Sequence, residues 1–295
     1  MAVMMRELLA TKLDTLRYEP TAKRLRVSVG SHLVADTEDG QLVWEPKRLV
    51  PAYAVAEQNI SAELISTGHH EPDPGTPPIL DPRNPFTQHT TPGEVYDVVV
   101  GDKTLPSAAF RSDDPDLSGH ILLDFGSFDW LEENEPIVSH PHDPFHRIDI
   151  LRSSRHVRIE LEGRLLAESS TPVLLFETLL PVRFYLPRAD VTSELQPNDT
   201  VSYCAYKGRA SYFSLPDARA DVASLPDVRA DVASLLDVRA DVASLPDARA
   251  DVAWTYPEPL REAEPVRAHI CFFDERVDVI VDGRRRDRPT TPWSD

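Results

Sequence analysis

Three groups of residues carry side chains that could do chemistry. In Cys204-Ala205-Tyr206-Lys207-Gly208 a thiol, a phenol and an ammonium stand within four positions. Read as a strand, Cys204 and Tyr206 share one face and Lys207 points to the other. A thiol beside a cation could act as a nucleophile, and the competing assignment is a small buried hydrophobe. The second group is cationic and phenolic. Arg152, Arg155, Arg183 and Tyr185, together with Tyr206 and Lys207, could line a site for an anionic or nucleotide-like small ligand. The third is histidine: His140, His142 and His146 cluster in one Pro-rich stretch, and His69-His70 form a pair. Three imidazoles could hold zinc or nickel, but no Cys or framed carboxylate accompanies them. A solvated connector is expected there, and no metal or other cofactor is assigned. G-x-x-x-x-G-K, G-x-G-x-x-G, H-E-x-x-H and G-x-S-x-G are all absent, which removes four common enzyme classes.

The elements that must position these groups occur twice. Pairing Arg26 with Arg158 and walking forward at a constant offset of 132 residues aligns Leu33 with Leu165, Ala35 with Ala167, Leu42 with Leu174, Glu45 with Glu177 and Tyr53 with Tyr185. His120-Ile121 against His269-Ile270 is a second anchor. Glu177, recurring as Glu45, is expected to serve the fold in both copies through a buried pair with an arginine such as Arg183; the alternative is a catalytic base. In the second copy Val157, Ile159 and Leu161 alternate with polar residues, the period of a half-buried strand. Glu162-Gly163 gives a turn and Arg164 to Glu168 the returning strand. Further short strands are expected at 173–177, 182–186, 201–206, 268–273 and 277–281, with Asp282-Gly283 as a closing turn. No βαβ alternation appears, so two mainly antiparallel β domains are expected. The expected order is an N-terminal amphipathic helix (within 1–17), a first, degenerate domain (18–132), a connector (133–149), a second, intact domain (150–284) and a tail (285–295). Residues 66–93, dense in Pro, His and Asp, read as an extended mobile loop.

A decapeptide beginning Ser214-Leu215-Pro216-Asp217 recurs from Ser224, Ser234 and Ser244, filling 214–253 where the first copy has a hairpin tip at Gly101-Asp102. Closure entropy grows only logarithmically with loop length, so such an insertion costs little. Exposed short helical turns or disorder are expected for it.

Composition narrows the partners. A formal net charge of −18 over 295 residues repels a phosphate backbone, so nucleic acid is not expected as a partner. The local exceptions, Arg152/Arg155/Arg158 and the tail run Arg284-Arg285-Arg286, read as solvated charge. Two cysteines outside any C-x-x-C spacing argue against a disulfide framework and a structural zinc. The stretch Met4 to Leu16 has no continuous apolar core of a secretory signal, and no apolar run suits a bilayer. A cytoplasmic protein without membrane contact is expected.

Several blocks, in order, resemble the bacterial domain of unknown function 427 family. They are Leu151-Arg152-Ser153-Ser154-Arg155-His156-Val157-Arg158, Leu175-Phe176-Glu177-Thr178, Arg183-Phe184-Tyr185-Leu186-Pro187, Tyr203-Cys204-Ala205-Tyr206-Lys207-Gly208 and Ala253-Trp254-Thr255-Tyr256-Pro257. The resemblance covers most of 146–284, and residues 18–132 look like the divergent partner of tandem members. It implies a compact fold of the β-tent kind, related to zinc-binding proteins whose paired C-x-x-C ligands are absent here, and it carries a nucleotidyltransferase-like label. Two departures stand out: Ala205 replaces the proline of the usual Cys-Pro-Tyr-Lys-Gly, and decapeptides replace the hairpin before Trp254. The reading that follows is a small-ligand-binding protein with its site in the second domain. The alternatives are a transferase-type enzyme using Cys204 or Lys207 and a non-catalytic scaffold.

Overall fold

Strand alternation and tight turns dominate the computed structural model, which describes residues 2–216, 250–289 and 291. The chain divides into two units, Met1–Pro144 and Phe145–Asp295. In the first, a short helix α1 (Met5–Ala10) precedes β1 (Arg17–Thr21), β2 (Leu25–Val29), β3 (His32–Thr37), β4 (Gly40–Trp44) and β5 (Ala52–Ala56). There follow β6 (Glu63–His70), β7 (Gly93–Val100), β8 (Lys103–Ser112), β9 (His120–Leu123), β10 (Asp129–Glu132) and β11 (Glu135–Pro136). The second unit has β12 (Ile148–Arg152), β13 (Val157–Leu161), β14 (Arg164–Ser169), β15 (Val173–Glu177) and β16 (Arg183–Pro187). It continues with β17 (Gln196–Cys204), β18 (Gly208–Ser214), β19 (Ala253–Thr255), β20 (His269–Phe272), β21 (Asp278–Val281) and β22 (Arg284–Arg285).

Each unit builds one seven-stranded and one four-stranded antiparallel sheet, in matching order. The large sheets run β1-β4-β5-β9-β8-β7-β6 and β12-β15-β16-β20-β19-β18-β17. The small ones run β3-β2-β10-β11 and β14-β13-β21-β22. The fold is mainly β, as the period-two patterns require. Within each unit the inward residues of both sheets form the main core, for example Val27, Leu42, Tyr53 and Trp130 in the first and Ile159, Leu174, Phe184 and Val279 in the second. Alternate residues on the outer face of the large sheet make a smaller cluster: Val43, Ala54, Phe110 and Leu122 in the first unit, Val173, Leu175, Tyr185 and Cys271 in the second.

The ladders correct the simple offset. Leu42 lies opposite Tyr53, whereas Leu174 lies opposite Phe184. Val55 pairs with Ile121 as Leu186 pairs with Ile270. The counterpart of Tyr53 is therefore Phe184, and Tyr185 corresponds to Ala54. The connection after Glu177 is one residue shorter than that after Glu45, and a one-residue slip moves a side chain to the other face. Tyr53 accordingly sits in the inner core and donates to Glu132 at 2.7 Å, while Tyr185 sits on the outer face.

Other expectations need revision. Helix α1 stops at Ala10, far short of residue 17: it buries no apolar face, with Leu8 and Leu9 exposed, and the Thr11 hydroxyl bonds Leu8 O. The stretch 66–93 is only partly a loop, since β6 reaches His70 and Leu80, Asp81, His89 and Thr91 are buried. The histidine-bearing connector is only partly solvated: Pro144 and Phe145 are exposed and His142 and His146 half-buried, but His140 and Asp143 are buried and the His142 amide donates to Glu132. The helical-turn or disordered reading of the decapeptide array falls mostly on residues 217–249, outside the described residues. Its ends are described: Leu215 and Val252 lie in the core and Phe213 pairs with Ala253, closing β18 onto β19. No helix among the described residues is long and apolar enough to cross a membrane.

Candidate functional site

The Cys204-to-Gly208 segment is a hairpin turn, not a strand. Strand β17 ends at Cys204, which pairs with Gly208, and Ala205 to Lys207 make the turn between them. Alternation stops at Cys204, so Lys207 turns inward. Its Nζ donates to Glu177 Oε2, with both side chains about nine-tenths buried. His146 Nε2 donates to the other carboxylate oxygen at 3.1 Å and stacks on the Tyr206 ring. The Cys204 thiol also lies close enough to the Lys207 ammonium to favour its charged form. Burial alone would raise the Glu177 carboxyl, but the Lys207 charge and the bonds from His146 and Lys207 outweigh it and hold it at about 2. Burial works to lower Lys207, and its neighbours Cys204 and Glu177 more than offset that.

The expected Glu177–Arg183 pair does not form. Arg183 on β16 lies opposite Leu175, two residues short of Glu177, and its guanidinium runs instead to the turn after β20. It donates to both Glu275 oxygens at 2.9 and 2.6 Å, stands 3.7 Å from Asp274 and lies over the Trp254 ring. Burial raises Asp274 to about 6 against the pull of Arg183. Trp254 Nε1 donates to the Tyr185 hydroxyl at 3.1 Å, and burial pushes that phenol well above its usual range.

The same node recurs in the first unit with different chemistry. Glu45, just after β4, accepts from His89 Nδ1 at 3.0 Å, from the Thr90 amide at 2.9 Å and from the Thr91 hydroxyl at 3.1 Å. His89 to Thr91 lead into β7 as Cys204 to Lys207 lead into β18. A buried carboxylate thus ties the segment that leads into the strand next to the sheet edge, β7 or β18, to the large sheet in both units.

The remaining sequence candidates fall elsewhere. Arg152 is exposed at the end of edge strand β12, opposite Val173 and at the far end of that strand from the Ile148–Glu177 pair. Arg155 belongs to a depression of about 410 Å³ lined by Arg155, Val281, Asp282, Arg284, Arg285 and Arg286. The arginine run is not a loose tail. Asp282 and Gly283 both adopt positive φ, 51° and 77°, the geometry of a tight two-residue hairpin. Arg284 and Arg285 then pair with Val281 and Ile280 as β22. Alternation puts Arg284 on the Val281 side, and Arg286, next on that side, lies with its guanidinium 5.3 Å from the Phe184 ring centre. Arg285 faces the other way and pairs with Asp278. Arg155 Nε stands 3.3 Å from Asp282 Oδ2, and Arg284 has no side-chain partner among the described residues.

Residues 149–226 and 231–283 match the family described as Domain of unknown function (DUF427). The match covers most of the second unit, Phe145–Asp295. No curated protein matches the chain. The match to the DUF427 unit spans the Glu177–Lys207 node and ends just before Arg284-Arg285-Arg286. Among the described residues no group of three or more His, Cys, Asp or Glu side chains is placed to hold a metal ion.

Of the residues singled out from sequence, Cys204, Tyr206 and Lys207 come together, Arg183 and Tyr185 share the neighbouring outer-face cluster, and Arg152 and Arg155 stand apart. Sequence reasoning passed over His146 as a partner of Glu177, and it missed Asp282 as a partner of Arg155. The signal for Asp282 was its turn dipeptide at the end of β21, whose pairing with β13 sets Asp282 beside His156 and Arg155.

Proposed function

We propose that the DUF427 unit binds a small anionic ligand, and that the arginine depression is where it does so. The reading takes the unit as β-tent-like. The observation that carries it is a concave surface lined by four arginines, of which Arg285 turns its charge to Asp278 and Arg155, Arg284 and Arg286 remain to face an anion. Planar guanidinium forks match phosphoryl and carboxylate oxygens, and a concave setting presents several forks to one anion. The buried cations are poorer candidates: Lys207 is neutralised by Glu177 and Arg183 by Glu275, whereas Arg284 has no carboxylate partner among the described residues. The overall charge of −18 is screened within about 8 Å at physiological salt, so the local arginines dominate for a compact ligand. A long polyanion would meet repulsion beyond the depression.

Titration with inorganic pyrophosphate tests this by calorimetry. Saturable binding at micromolar to millimolar concentration is expected, weakened by about 10- to 100-fold in Arg284→Gln, the loss of one charged hydrogen-bonding group. Absence of saturable heat, or affinity indifferent to Arg284, would overturn the reading.

A further inference from the structure

Inside the cluster of arginines stands one carboxylate. Asp282 closes the β21–β22 hairpin, accepts from the His156 amide at 3.0 Å through Oδ1 and faces Arg155 with Oδ2. The depression therefore already contains an anion of its own. Both partners of the Arg155–Asp282 pair are about half exposed, and exposed pairs of this kind are weak. A doubly charged phosphoryl group, which offers more oxygens and more charge, competes well for the same guanidinium.

We propose that Asp282 is a built-in competitor at this site: its carboxylate occupies Arg155 in the resting protein, and a phosphoryl group of the ligand displaces it. The proposal rests on the anion-binding reading above and goes beyond it by naming the residue that sets affinity and charge selectivity. A ligand with one negative charge gains little by the exchange, since it replaces one carboxylate-like charge with another. A dianionic or more highly charged group gains Arg155 in addition to Arg284 and Arg286. The class of ligand is therefore a phosphoryl or diphosphoryl compound rather than a simple carboxylate.

The turn allows a clean variant. Asp282 has a φ of 51°, a conformation that asparagine tolerates as well as aspartate does. Asp282→Asn keeps the amide oxygen for His156 and the hairpin while removing the charge. Calorimetry on the full chain with inorganic pyrophosphate and with acetate as probes should show pyrophosphate binding about tenfold tighter in Asp282→Asn than in the native chain. Acetate, undetectable in the native chain, should become measurable. Arg155→Gln added to Asp282→Asn should return pyrophosphate affinity to the native level or below, because the released guanidinium is what the variant gains. The ligand-free thermal midpoint reports whether the hairpin is retained, and a second variant, Asp282→Gly, preserves the positive φ if asparagine does not. Unchanged or weaker pyrophosphate binding in a folded Asp282 variant overturns the competitor role while leaving anion binding intact. Failure of every variant and of the native chain to bind pyrophosphate overturns both. Tight binding of a single-stranded oligonucleotide that pyrophosphate does not displace would also overturn it, in favour of a nucleic-acid surface.

Discussion

Glu177 shows how a single buried carboxylate can be read. Its carboxyl is held at about 2, below the usual 4.5, so the folded state binds the proton less tightly than the unfolded chain. The stabilisation is complete above pH 4.5 and is lost as pH falls toward 2. Glu177→Gln leaves the Lys207 ammonium buried without a carboxylate, and is expected to lower stability at pH 7 by about 3 kcal/mol. The deficit should shrink progressively between pH 4.5 and 2. Urea unfolding at pH 7 and pH 3 measures both numbers, and a deficit independent of pH would mean that the pair does not hold the charge. The importance of Glu177 was legible from its recurrence as Glu45, but its partner was not. Arginine at 183 looked adjacent because the two strands are adjacent. The actual partner, Lys207, comes from a turn where the strand periodicity that assigned it to the other face no longer applies. Arg155 and Arg284 were likewise visible as charges, yet a turn rather than a strand brings them together.

At the scale of elements, the sequence is most informative where backbone conformation is restrictive. Glu162-Gly163 and Asp282-Gly283 mark tight hairpins, and in each both residues adopt positive φ. Apolar alternation located β13, β15, β16, β20 and β21 to within a residue or two. A one-residue difference in a connection left no such mark, so Tyr53 and Tyr185 matched as letters while facing opposite sides of their sheets. The glycines that open β7 and β18 illustrate two further constraints. A Cβ at Gly93 would stand 2.2 Å from Arg111 O and 2.5 Å from the Phe110 ring, so backbone would have to move. At Gly208 the nearest atoms are 3.3 Å or farther, and the demand is a φ of +90°. Gly93→Ala is therefore expected to cost about 2–4 kcal/mol, through forced displacement of paired strands. Gly208→Ala should cost about 1–2 kcal/mol through local strain. Thermal unfolding of the two variants tests the ranking, and the reverse order would show that conformational strain exceeds the steric clash.

For the whole molecule, the decapeptide array raises the question of what the fold requires from an insertion. The described ends answer it. Leu215 packs in the main core of the second unit, and at the other end Val252 is fully buried while Ala253 pairs with both Phe213 and Phe272. Asp251 holds the exit: Asn198 donates to its carboxylate at 2.8 Å, its amide donates to Ser214, and Arg276 donates to its carbonyl oxygen. The unit thus uses a Ser-Leu entry and an Asp-Val-Ala exit, and every decapeptide begins with the first and ends with the second. Deleting Ser224 to Ala253 joins Ala223 to Trp254, so Asp221, Val222 and Ala223 inherit the places of Asp251, Val252 and Ala253. The closed loop becomes shorter by three units, and logarithmic closure entropy makes the change small and favourable, about 1 kcal/mol or less. A soluble protein is expected whose melting temperature equals or slightly exceeds that of the full chain. Pyrophosphate affinity should be unchanged, because the arginine depression lies on the four-stranded sheet and the array is inserted in the seven-stranded one. Replacing Val252 by Asp should instead destabilise the unit by several kcal/mol, through a charge buried in the core. If the deletion melts as low as Val252→Asp, the intervening units contribute contacts of their own and the fold requires more of the array than its two ends.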